Sequence, residues 1–437
     1  MASRAVRYTV SEIAKLGKDN IPSELLSGQG LVYSSPATLA YNSPGAEGFG
    51  VKRAGLSVPE SVMLIVSPGC CGRNTSIVSS MPQYKDRFFY LMMDETDLVT
   101  GRHLKRIPDA VCEVVSYLDK QKGKKPKSVM ICITCVDALL GTDMERVCSA
   151  CERALGDGTR VAPCYMYALT REGRRPPMVH VRQTIYSLLA PVEKDPRSVN
   201  IIGNFAPLED GELQKILTAA GVKHIRQIAT CGTYEEFLKM ASANFNIVTN
   251  PEARASAHDM SSRLGIPYIE LTRVHDVSRT AAQYRAFMSA AGIDVDFSSY
   301  ENEAWDSVDN LKKEFPGLTF NIGECLNADP FELALSLARY GFKIDEIYAT
   351  LSPEKFKYVS KLSELSPDTK VFCNMDPTML YYDVSSSKAD ISLGKDAAFY
   401  CPDIPNIAWN SDVQPFGFQG IKSLMDTISR TMKEARA

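Results

Sequence analysis

The sequence predicts an α/β protein made of three Rossmann-like domains, each a parallel sheet flanked by helices. Two observations carry this. Short apolar runs rich in β-branched residues recur between segments with helical spacing, and strands that alternate with helices make βαβ units. The alternation also restarts twice within 437 residues, a length too great for one core. The rhythm sets the expected borders: an N-terminal domain over 1–193, a middle domain over 194–298 and a C-terminal domain over 299–437.

Residues 1 to about 60 read as irregular, because Gly28, Gly30, Pro36, Pro44, Gly45, Gly48 and Gly50 interrupt any period. Strands are expected at 62–66, 88–93, 129–133 and 160–166, with helices at 106–119 and 144–155. Pro191, Asp195 and Pro196 mark a border within 190–199. The rhythm resumes with strands at 200–203, 224–228, 246–249 and 267–271, and helices at 210–220, 234–243, 253–264 and 278–291. A third set has helices at 299–314, 330–340 and 353–364. Its strands are at 318–322, 344–349, 370–373 and 389–393, and an amphipathic helix at 421–435 closes the chain.

One stretch organises the rest. Val129 to Ile133 is an apolar run that reads as a buried strand, and Thr134 and Cys135 close it. Asp143 reads as the N-cap of the helix that follows. A thiol therefore stands at the carboxyl end of a parallel strand, where open α/β sheets hold their ligands. A second thiol site, Ser67-Pro68-Gly69-Cys70-Cys71-Gly72, follows the strand at 62–66.

Composition narrows the field. Hydrophobic residues make up 45% and charged residues 23%, as in an ordinary globular protein. A net charge of -3 gives no electrostatic reason to expect nucleic acid. Residues 1–18 lack the apolar core of a secretion signal, and no apolar run approaches the roughly 20 residues that span a bilayer. A cytoplasmic protein with no membrane or nucleic-acid partner is expected. Twelve cysteines in such a chain are seldom a disulfide framework. The five histidines form no H-x-x-x-H pair, so no histidine-based metal site is indicated.

Cys132-x-x-Cys135 and Cys148-x-x-Cys151 have nearly the spacing of a zinc ribbon. Against zinc, Cys148 and Cys151 fall one turn apart inside a helix, where a buried cysteine acts as a small hydrophobe. Iron–sulfur ligation needs thiolates that converge from loops. Cys70, Cys71 and Cys135 meet that need, and Gly69 and Gly72 let backbone come close. Three ligands leave a cluster incomplete, so a symmetry mate or partner subunit would supply the remainder. The plain alternative is that Cys70-Cys71 forms a tight turn and Cys135 is a packed thiol. Neither a phosphate-binding G-x-x-x-x-G-K-[ST] nor a G-x-G-x-x-G after a strand occurs, so any ATP coupling belongs to another protein.

The chain resembles the component 1 family of nitrogenases, whose relatives include the dark-operative protochlorophyllide reductases and the nickel-sirohydrochlorin reductive cyclase. Thr134 to Asp143 is similar to the family's T-C-x-x-x-[LI]-I-G-D-D, and Pro68 to Gly72 to its P-x-x-C-G. Ala243 to Val248, with Leu264-Gly265-Ile266-Pro267-Tyr268 downstream, resembles A-x-x-N-[LIV]-V with Y-G-[IT]-P. Trp409 to Gly420 resembles in part the C-terminal W-D-Y-S-G-P-Y-x-G-[YF]-x-G. The resemblance makes Cys71 and Cys135 ligands of an iron–sulfur cluster that bridges subunits, a 4Fe–4S cluster or a larger P-cluster-like one. Cys70 is an extra thiol. It would compensate for Tyr41-Asn42-Ser43-Pro44-Gly45-Ala46, which lacks the cysteine of the family's C-x-P-x-G-A.

The resemblance implies a nitrogenase-like iron–sulfur oxidoreductase subunit. It would pair with a homologous component 1 subunit, as a dimer or heterotetramer. It would take electrons from an ATP-hydrolysing iron–sulfur reductase and pass them through the interface cluster to a substrate. Asn250 and Ile407 stand roughly where the family's cysteine and histidine hold the active-site cofactor, and the nearest substitutes by sequence are Cys231 and His275. That departure fits a non-catalytic scaffold or carrier for metallocluster assembly, and it also fits a tetrapyrrole or organosulfur reductase. No catalytic residue is assigned. The lysine-rich stretch 120–127 reads as a solvated loop, with steering of an acidic reductase as its functional alternative. The stretch 171–177 reads as a surface turn, or a contact for an anionic substrate. Asp137 reads as a helix cap or a proton carrier.

Overall fold

A computed structural model describes residues 4–26, 50–69, 79–133, 141–165 and 175–437. The chain divides into two compact units. One comprises Met1–Ala46, Leu208–Ala220 and Arg273–Ala437, and the other Glu47–Pro207 and Gly221–Thr272. Among the described residues, no helix is long and apolar enough to cross a membrane.

The chain starts in the first of these units with strand β1 (Tyr8–Thr9) and the helix Val10–Leu16. Thr9 caps that helix: its hydroxyl accepts from the Glu12 amide at 3.2 Å, and the Glu12 carboxylate accepts from the Thr9 amide at 2.7 Å.

The unit Glu47–Pro207 with Gly221–Thr272 holds two parallel sheets. The first contains β2 (Ser61–Ser67), β3 (Phe88–Met92), β4 (Ser128–Ile133) and β5 (Arg160–Tyr165), in the order β3-β2-β4-β5. β2 and β4 are buried along their whole length, as central strands covered on both faces must be. Successive side chains alternate between two cores. Val62, Leu64, Val129 and Ile131 pack with Ile107, Val111 and Val147 from the helices His103–Lys122 and Met144–Leu155. Met63, Ile65, Met130 and Cys132 join the core that contains Ile185, Ile202 and Met260.

The second sheet contains β6 (Asp195–Ile202), β7 (His224–Arg226), β8 (Ala243–Val248) and β9 (Tyr268–Glu270), in the order β7-β6-β8-β9. Residues 190–199 lie within this unit, and from Asp195 onward they form the first part of β6.

The unit containing Arg273–Ala437 is built on one six-stranded sheet. Its parallel strands are β10 (Thr319–Gly323), β11 (Lys343–Tyr348), β12 (Lys370–Phe372), β13 (Ile391–Leu393) and β14 (Asn406–Ile407). The order is β1-β12-β11-β10-β13-β14, with β1 antiparallel to β12 and Tyr8 opposite Val371. The N-terminal residues, expected to be irregular, thus complete the edge of this sheet, and Val10 and Ile13 are fully buried behind them. A two-residue strand carries too little pattern to be read.

The helix Gly417–Arg436 packs along Ser298–Glu314. Its first amides are capped from a distance. The buried carboxylate of Glu212 accepts from the amides of Phe418 at 2.6 Å and Gln419 at 3.2 Å, and from Tyr284 Oη at 2.9 Å. Gly417, at φ +61°, lies so close that a Cβ there would overlap Glu212.

Candidate functional site at the strand ends

Each sheet reverses its winding once. In the first, the chain steps from β2 outward to β3, then returns to the other side of β2 for β4. The strand that follows β2 and the strand that follows β4 therefore lie on opposite sides of them, the strand order at which open α/β sheets hold ligands beyond their carboxyl ends. In the sequence Cys70 and Cys71 follow β2, and Cys135 follows β4. Cys70, Cys71, Cys135 and Asp137 themselves lie outside the described residues. The strands that lead to them are in register, with Val66 beside Ile133 on neighbouring parallel strands. Gly69, the last described residue before Cys70, packs so closely that a Cβ there would stand 2.9 Å from Met92 Cε.

Downstream of the second loop, Asp143 caps the helix Met144–Leu155, its carboxylate accepting from the Arg146 amide at 3.0 Å. Cys148 and Cys151 lie on the buried side of this helix, as helical spacing required. Burial pushes the Cys132 and Cys151 thiols up to about 12 and the Cys148 thiol higher still, so all three stay protonated and inert.

The second sheet reverses between β6 and β8. Asn250, expected roughly at the position of the family's cofactor cysteine, lies just beyond β8. Its Nδ2 donates to Asn204 Oδ1 at 3.2 Å, and its Oδ1 accepts from the Glu252 amide at 3.0 Å. Cys231 donates to the Gln227 carbonyl at 3.3 Å, and burial pushes its thiol up to about 11.

In the other unit the sheet reverses between β10 and β13. Here sequence reasoning missed a cluster. Asp396 accepts from the amides of Glu324 at 2.9 Å and Cys325 at 3.0 Å. Asn374 Nδ2 donates to Glu324 Oε1 at 2.9 Å and to Asp396 Oδ2 at 2.8 Å. The signal was present in Gly323 and Gly394: a Cβ at either would strike the Asp396 carboxylate. Ile407, expected roughly at the position of the family's cofactor histidine, is an apolar residue buried in β14. His275 is also buried. Its Nδ1 stands 3.1 Å from Glu332 Oε2, and its amide donates to the same carboxylate, which Arg279 reaches at 2.9 Å. It is committed to a buried ion network.

The lysine-rich stretch is solvated, as expected. It ends the helix His103–Lys122, and Gly123 follows at φ +59°. Lys125 pairs with Asp157 at 2.7 Å. Of the arginines in 171–177, only Arg175 is described, and it is exposed.

Three open sheets, parallel apart from the edge strand β1 and each reversing its strand order once, define a class: a multi-sheet open α/β protein. The chain belongs to the nitrogenase component 1 type oxidoreductase family, whose model matches residues 47–433. It is similar to the nitrogenase iron-molybdenum cofactor biosynthesis protein NifE of Rhodobacter capsulatus, 23% identical over 402 residues, 84% of this chain and 80% of that protein. NifE of Klebsiella pneumoniae is 27% identical over 233 residues, 49% of each chain. Among solved structures, nitrogenase Cp1 at pH 6.5 superposes with a TM-score of 0.70 at 17% identity, covering 95% of this chain and 96% of that one. At that identity the likeness speaks to the fold.

Proposed function

We propose that this chain is a scaffold or carrier for an iron–sulfur metallocluster, with Cys71 and Cys135 as thiolate ligands and Cys70 beside them. The observation that carries it is the pairing of β2 with β4. Val66 lies beside Ile133, so the chain departs from adjacent points only a few residues before Cys70 and Cys135. Neighbouring strands run about 4.8 Å apart, within the span of one cluster. The donor set suits the group: soft thiolates favour iron–sulfur clusters. When bound, such a cluster supplies one-electron redox chemistry.

Carriage fits better than turnover for two reasons. The relatives cited above are cofactor biosynthesis proteins by name. The positions that hold the family's active-site cofactor carry Asn250 and Ile407, while Cys231 and His275 are engaged elsewhere. Thiols on two loops leave part of a cluster's coordination to a second, homologous subunit. The family's description as an oxidoreductase favours the other reading, an electron-accepting reductase subunit served by an ATP-hydrolysing iron–sulfur reductase.

The test is anaerobic purification with iron and sulfide counted per chain. Cys71→Ala and Cys135→Ala should each lose iron and the visible thiolate-to-iron absorbance, while Cys148→Ala, in the core, should keep both. Full iron in Cys135→Ala would sink the assignment. Transfer of the cluster to an apo acceptor protein supports carriage, whereas steady ATP-dependent reduction of a substrate would establish the reductase instead.

A further inference from the structure

An open sheet ends in two strands whose outer backbone groups lack a neighbour, and proteins ordinarily close such edges. Most edges in this chain are short: β7 and β9 have three residues each, and β1 and β14 have two. The first sheet has longer ones, β5 and β3. The sequence closes β5. The Arg160 amide donates inward to the Lys127 carbonyl at 3.1 Å, so by alternation Val161 and Pro163 turn their backbone groups outward. The Glu152 carboxylate accepts from the Val161 amide at 2.9 Å, and Pro163 has no N–H to offer.

β3 has neither device. The Met63 amide donates to the Arg87 carbonyl at 2.8 Å, and the Met93 amide donates to the Ser67 carbonyl at 3.2 Å. That alternation turns the N–H and C=O groups of Phe88, Tyr90 and Met92 away from β2. Among the described residues these groups make no hydrogen bond. Nor does the strand, Phe88-Phe89-Tyr90-Leu91-Met92, carry a charge; Tyr90 is 43% exposed and Met92 63%. An apolar edge with open backbone groups is a template for another strand.

The symmetry and charge of β3 say which strand. A two-fold interface uses the same patch on both copies, so a strand that meets itself runs antiparallel. With Tyr90 opposite the Tyr90 of a second copy, Phe88 lies opposite Met92, and each outward N–H meets an outward C=O. The ends are complementary as well. Lys85 precedes the strand and Glu95 follows it; both are exposed and outside any ion pair among the described residues. Asp86, beside Lys85, is taken by Lys122 at 3.4 Å. Antiparallel pairing sets the basic end of each copy against the acidic end of the other.

We propose that β3 pairs edge to edge and antiparallel with β3 of a second copy of this chain, joining two sheets into one. The pairing uses no thiol and needs no cluster.

Analytical ultracentrifugation of the full chain over a wide range of concentration should show a reversible dimer. The amides of Phe88, Tyr90 and Met92 should gain hydrogen-exchange protection as it forms, which contact through side chains alone would not give. Tyr90→Pro removes an outward N–H without touching the ladder to β2, and Tyr90→Lys puts a charge on the exposed edge. Each should weaken the dimer about tenfold or more while circular dichroism shows the parent's fold. Lys85→Glu should weaken it too, and Lys85→Glu combined with Glu95→Lys should restore it. Cys135→Ala should dimerise as the parent does, whether or not it holds iron. A chain monomeric at every concentration, a dimer indifferent to both Tyr90 variants, or one lost in Cys135→Ala would overturn the proposal.

Discussion

Glu324 ends up half-buried just past the carboxyl end of β10 because the fold places it between the Thr350 amide and Asn374, beside Asp396. Burial raises its carboxyl above the ordinary 4.5. The hydrogen bonds from Thr350 and Asn374 pull the other way, and Asp396 adds to the rise. A carboxyl raised in the folded state contributes stability that is complete below the unfolded value near 4.5 and is lost as pH climbs through the folded value. Glu324→Gln has no such group. Its stability relative to the parent, from urea denaturation, should therefore rise between about pH 4.5 and pH 7. A difference that stays flat across that range would show the carboxyl to be unperturbed.

At the scale of elements, what could be read in advance depended on run length. β2 and β4 announce themselves because a strand buried on both faces is a continuous apolar run. Cys70, Cys71 and Cys135 stood out for the same reason, since each follows such a run. β1 and β14 are two residues long and give no period. The Glu324, Asn374 and Asp396 cluster draws on residues scattered along the chain, which only the folded sheet gathers. Edge strand β1 also makes a forecast. Val10 and Ile13 are fully buried, and burying two such side chains contributes about 4 kcal/mol. Removing residues 1–16 should cost that order of stability and strip hydrogen-exchange protection from β12 and from the helix Phe356–Leu365, against which Val10–Leu16 packs. Protection in β2 and β4, which belong to the other unit, should not change. Loss of protection spread evenly over both would refute this.

The whole molecule is two units, each with its own core, and the chain passes between them more than once. The unit Arg273–Ala437 therefore cannot form without closing the loops that contain Glu47–Pro207 and Gly221–Thr272, and its Leu208–Ala220 piece supplies Glu212 to cap the helix Gly417–Arg436. Separate cores melt as separate cooperative units unless contacts between them are strong enough to couple them. The chain supplies its own probes for deciding. Trp305 and Trp409, the two tryptophans, both fall in the unit that includes Arg273–Ala437, whereas far-ultraviolet circular dichroism follows helices in both. Urea transitions followed by the two signals should have different midpoints. The fluorescence midpoint, but not the remaining dichroism transition, should move when residues 1–16 are removed. Superimposable curves in the parent chain would mean that the two cores unfold as one.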